Sequence, residues 1–182
     1  MRSYILSSFA LLTCLTPAAL AQTQPGPEHQ WLADNFSGGF TWYAADPETG
    51  EPVSGRGNCT MEFGGFYLRC VHLSPDGVPM GVGISGFNQA AGHYEWTFYG
   101  GGGSSIAFGE GRSERSLENP VSIVEGLTYL PDGSQSAFRS ETRKDPNGGW
   151  TYVYFLGQGE AAMPVYRARF VYDLEVSEDD PR

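Results

Sequence analysis

Turn residues interrupt this chain too often for it to build anything but short strands. From Phe36 onward, strand-like runs alternate with turn signals every 8 to 14 residues. FTWYAA ends at Asp46-Pro47-Glu48-Thr49-Gly50, and Ser74-Pro75-Asp76-Gly77 leads into VPMGVGISGF. HYEWTFY, SSIAFGEG, VSIVEGLTYL, SAFRSETR, WTYVYFL and PVYRARFVYDL follow, each bounded by Gly, Pro, Asn or Asp. No connection is long enough to carry a crossover to a parallel strand, so consecutive strands must run antiparallel. About ten twisted strands in one sheet curl, and closure removes the exposed edges. The pattern predicts an all-β, antiparallel up-and-down meander barrel, with a Greek-key sandwich as the alternative.

Composition supports a packed core. The chain has 25 glycines in 182 residues, about twice the usual share, with no collagen period and with 14% aromatic residues. Gly55, Gly57, Gly81, Gly83, Gly86, Gly109 and Gly126 fall inside the predicted strands, where glycine marks bends and close backbone approach. A net charge of −10 repels phosphate backbones and anionic membrane surfaces, which excludes nucleic acid as a partner.

Residues 1–21 read as a signal peptide. Arg2 precedes an apolar stretch to about Leu15, and Ala19-Leu20-Ala21 fits a small-residue cleavage site. The stretch is too short to span a bilayer, and no later one is long enough. The chain is therefore expected to be exported, periplasmic or secreted after cleavage near Ala21. Residues 22–35 form a lead-in in which Pro27–Asn35 is predicted to make one or two helical turns, with Trp31 and Leu32 plugging into the body. Residues 36–175 form a single β-barrel domain, and 176–182 an acidic tail.

Cleavage would remove Cys14 and leave Cys59 and Cys70, an even pair in an oxidising compartment. Their setting is GNCTMEF-GG-FYLRCVH. A two-residue hairpin closing on Phe63 and Phe66 places Cys59 directly opposite Cys70, as a hydrogen-bonded pair about 5.5 Å apart. A structural disulfide is expected there.

Alternation puts Tyr94, Trp96 and Phe98 on one face, and Tyr166, Ala168, Phe170 and Tyr172 on another. His72 continues the row of Cys59 and Cys70. The strand from Trp150 is apolar on both faces, so its inner side is open at this point. Candidate ligand-lining residues are Trp42, His72, Tyr94, Trp96, Phe98, Arg139 and Tyr152. Arg139 would need a partner or an anionic ligand if it pointed inward.

Other motifs lack their context. Gly81-Val82-Gly83-Ile84-Ser85-Gly86 matches G-x-G-x-x-G but lies within a strand, with no helix to receive a pyrophosphate. The acids Glu62, Glu95, Glu110, Glu125 and Glu141 are spread over different strands, and the three histidines show no metal-binding spacing. No catalytic residue, metal or cofactor is expected.

The run Gly38-Gly39-Phe40-Thr41-Trp42, Gly64-Gly65-Phe66-Tyr67-Leu68, Gly83-Ile84-Ser85-Gly86-Phe87-Asn88 and His93-Tyr94-Glu95-Trp96 resembles a family of exported bacterial lipocalin-like barrels catalogued only as a domain of unknown function. The resemblance covers roughly residues 28–175. It departs at Phe87-Asn88, where the family has Tyr-Asp, and at the short interval from Tyr94 to Trp96. It implies a calycin-type barrel and brings no established catalytic residues. The expected function is binding of a small hydrophobic or amphipathic ligand inside the barrel. The alternatives are a filled barrel serving as an envelope interaction protein, or a hydrolase.

Overall fold

A computed structural model describes residues 24–46, 49–100, 106–114, 121–130, 132–146 and 148–173. The segments expected to be a signal peptide and an acidic tail, the tip after Gly100 and most of the 112–119 loop lie outside the described residues.

The chain forms a helix α1 (Pro27–Phe36), then β1 (Gly38–Ala45), β2 (Pro52–Glu62), β3 (Tyr67–Leu73), β4 (Pro79–Asn88) and β5 (His93–Gly100). β6 (Ile106–Glu114), β7 (Val121–Tyr129), β8 (Gln135–Lys144), β9 (Trp150–Leu156) and β10 (Met163–Asp173) complete it, with one 3-10 turn at Gly159–Ala161. Every strand pairs with its sequence neighbour, and β1 pairs with β10, so the ten strands close into a barrel. All ten pairings are antiparallel. The meander expectation holds, and closure removes the sandwich alternative.

The ladder sorts inside from outside. Phe40 pairs with Gly57 and Tyr172, Trp42 with Gly55 and Phe170, and Trp96 with Ser85 and Gly109. Glycine opposite an inward aromatic is a steric requirement. A side chain on Gly57 would strike the Phe40 ring, and one on Gly55 would lie 2.5 Å from Trp42 Cζ2. The Phe40 and Trp42 rings thus lie over the β2 glycines opposite them.

The Cys59–Cys70 disulfide is present and its register is the expected one, Cys59 opposite Cys70. The turn differs. The last paired residues are Glu62 and Tyr67, leaving a four-residue loop, and the Gly65 and Phe66 amides both donate to the Glu62 carbonyl, at 3.1 and 3.2 Å. Phe63 takes a left-handed φ of 52° and is 78% exposed. Phe66 leaves the ladder because its ring packs edge-on against His29 of α1, centroids 5.2 Å apart. Moving the closing pair by one residue exchanges hydrogen-bonded and non-hydrogen-bonded positions along the hairpin. The cysteines accordingly sit as the close kind of pair, with a Cα–Cα distance of 4.0 Å.

Helix α1 plugs one end of the barrel. Pro27 opens it where no amide bond is required, and the Gly26 amide donates to His29 Nδ1 at 3.1 Å. The helix buries Leu32 as expected, and also His29. Trp31 packs on Phe36, Tyr94 and Trp150. His29 was legible only as an isolated histidine, since its burial depends on Phe66 and Phe87 arriving from two hairpins.

Candidate functional site

The buried core is split. One cluster gathers Leu32, Phe40, Trp42, Cys59, Leu68 and Tyr94 beneath the helix, and the other gathers Ala107, Val124 and Phe138 on the opposite wall. A continuous run of ring contacts leads from one to the other, from Phe40 through His72, Phe98 and Trp96 to Phe138. Inward in register along and beside this run are His72, Trp96, Phe98, Tyr152 and Phe170, all half-buried. These define the lumen.

His72 is the polar centre of this lining. Its imidazole lies 5.1 Å from Phe40, 5.7 Å from Phe98 and 6.0 Å from Phe170, centroid to centroid, and is edge-on to each. Desolvation within this aromatic shell lowers its pKa to about 4, so it is neutral at physiological pH. A break in the β3–β4 register follows immediately at His72/Leu73, a bulge of the kind that re-aims a neighbouring side chain.

Tyrosines cover the far wall. Tyr152 stacks near Tyr154 at 6.4 Å and meets Phe170 edge-on at 6.1 Å. Burial raises its hydroxyl above the ordinary tyrosine range, and Ser140, itself buried, hydrogen-bonds it. Tyr154 is raised in the same way and hydrogen-bonds Thr128. Phe138 stacks on Tyr154 at 5.1 Å and tilts against Trp96 at 5.6 Å. Among the described inward ladder positions, the one charged side chain is Lys144, beside Trp150 at the helix end of β8. The lumen can therefore hold apolar, flat surface and offer neutral hydrogen-bonding groups. Among the described residues, no cluster of three or more metal-ligating side chains forms.

Of the residues singled out in the sequence, His72, Trp96, Phe98 and Tyr152 converge on the lumen. Three lie elsewhere. Trp42 is only 5% exposed, sealed in the core with Nε1 donating to the Leu73 carbonyl at 2.9 Å. Tyr94 lies at the plugged end against Phe87 and Trp31. Arg139 points outward, because its ladder neighbours are Glu125 and Phe155 on the outer face, and it binds Glu141 at 2.7 Å. An inward guanidinium at that position would have had no carboxylate to meet. Phe170, Tyr154 and Phe138 also face inward, beside them. The inner face of β9, which both of its apolar faces had hidden, is the one bearing Trp150, Tyr152 and Tyr154.

No family model matches the chain, and no curated protein matches it. Among solved structures, it is similar to the crystal structure of Rv2717c from M. tuberculosis, with a TM-score of 0.58 and 14% identity. The match covers 81% of this chain and 98% of that one. At that identity the likeness concerns the fold.

Proposed function

We propose that this barrel is an exported binding protein for a small hydrophobic or amphipathic ligand held in its lumen. The partial exposure of Trp96, Phe98, Tyr152 and Phe170 carries this reading, because these inward-facing aromatics keep accessible surface. Apolar walls with a few convergent polar groups are the usual composition of small-molecule sites. Neutral His72 and the Tyr152 hydroxyl would orient a ligand through a hydroxyl or carbonyl, with no charge to desolvate. Export is supported by the disulfide, which suits an oxidising compartment, and by the leader-like first 21 residues. No helix among the described residues is long and apolar enough to cross a membrane.

The test is titration with the neutral probe N-phenyl-1-naphthylamine, read by quenching of tryptophan emission. Saturable quenching is expected, and Trp96→Phe should remove most of it. Gly83 faces the lumen beside Phe98, with 3.8 Å to the nearest ring atom from an added Cβ. Gly83→Leu should fill the space and weaken the probe by about tenfold or more. No saturable quenching, or equal affinity in a folded Gly83→Leu protein, would overturn the reading.

A further inference from the structure

The outer wall of β4–β7 carries a second feature, on the other face of the strands that line the lumen. Glu95, Glu110 and Glu125 stand directly opposite one another on three adjacent strands. Like charges in register destabilise a sheet. The compensation present is partial. His93 lies 3.8 Å from Glu95 and 3.9 Å from Glu110, and Asn88 Nδ2 donates to Glu95 at 2.7 Å. Arg139 reaches Glu125 only at 3.7 Å while binding Glu141 at 2.7 Å.

Two residues along each strand runs a parallel row of Thr97, Phe108 and Leu127, in which Phe108 pairs with Leu127. These side chains are 43% and 38% exposed. Between the rows the paired glycines Gly109 and Gly126 let the two backbones approach so closely that a side chain on Gly126 would strike the Phe108 carbonyl. The wall dips there into a depression of about 520 Å³, bounded by both rows.

We propose that this groove docks an extended, basic segment of a partner protein, one whose side chains alternate between cationic and apolar. The two rows lie about 7 Å apart, because residues i and i+2 of a strand are separated by two rises of about 3.4 Å. A segment laid across the strands sends successive side chains to opposite sides, so one set meets the carboxylates and the other meets Phe108 and Leu127. The groove is open on one side, whereas a small-molecule site buries about 70–90% of its ligand, and that favours a chain lying along it. Charge selects the partner's sign. A second copy of this chain, at net −10, is repelled by the same carboxylates.

The experiment uses the purified protein and a capped, fluorescein-labelled peptide of alternating leucine and arginine, followed by anisotropy. Saturable binding that weakens with salt is expected. Substituting Glu95, Glu110 and Glu125 together by Gln should weaken it by about tenfold or more, while removing repulsion and so keeping the melting temperature. Phe108→Ser with Leu127→Ser should weaken it as much. A serine–arginine peptide should bind much more weakly. Absence of binding, equal binding of the serine–arginine peptide, or indifference to either set of substitutions overturns the proposal. Displacement of the peptide by N-phenyl-1-naphthylamine would place it in the lumen and also overturn it. So would a sedimenting dimer that these substitutions disperse, because the occupant would then be a second copy.

Discussion

The His72 imidazole meets the Phe98 ring edge-on, with centroids 5.7 Å apart and planes at 78°. That contact lets the lumen hold a titratable group while staying neutral, and it makes the fold sensitive to acid. The folded-state pKa lies at about 4, below the ordinary 6.5, so between these values the unfolded chain binds a proton that the native barrel refuses. Stability is therefore complete above about pH 6.5 and is lost as the pH falls towards 4, by an amount on the order of 2–3 kcal/mol. Thermal melts from pH 7.5 to 4.5 should show a steeper decline for the native protein than for His72→Phe. Parallel curves would show that His72 does not resist protonation.

Gly57 faces a different constraint. Its backbone is unexceptional, yet a Cβ there would strike the Phe40 ring and lie 2.5 Å from the Val71 carbonyl. Phe40 is 2% exposed and cannot swing aside. Gly57→Ala should cost about 1–3 kcal/mol by overpacking, measured by urea denaturation. Combined with Phe40→Leu, it should cost less than the sum of the two single substitutions, because the smaller side chain vacates the contested space.

The disulfide joins two strands across a hairpin with a sequence separation of 11. In the chain-entropy account a loop of that size contributes about 2–3 kcal/mol by restricting the unfolded chain. Reducing agent should lower the melting temperature of the native protein and leave a double Cys→Ser variant unchanged. Alkylation mass spectrometry that finds two free thiols in the untreated protein would refute the bridge.

Leu32 anchors the helix that closes the barrel's end and is 5% exposed. Leu32→Ala should destabilise the protein by about 2–4 kcal/mol, through lost burial and the cavity left behind. Because α1 seals that end through Trp31 against Tyr94 and Trp150, the same variant should speed exchange of a lumen probe in stopped-flow measurements. A melting temperature within a degree of the native value would show that the plug adds little to the fold.

Much of this architecture is set by local pattern. Turn residues at close spacing forbid crossovers, so the meander follows from the sequence, and closure follows from the sheet's need to lose its edges. The strict two-residue period of a strand carried the cysteine register and put Trp96 and Phe98 on one face with no tertiary information. The same rule fails where both faces are apolar. Only the pairing of β9 with β10 shows that Tyr152 and Tyr154 look inward and Phe155 outward. It also fails for direction, since period two says that Arg139 and Glu141 share a face but not which face meets water. Curvature and long-range packing determined the rest. The helix drew Phe66 out of its hairpin, and carboxylates 15 residues apart in sequence came to stand in a single row. Sequence spacing fixes neighbours along a strand, whereas neighbours across strands depend on loop lengths and closure, which are settled only when the whole sheet forms.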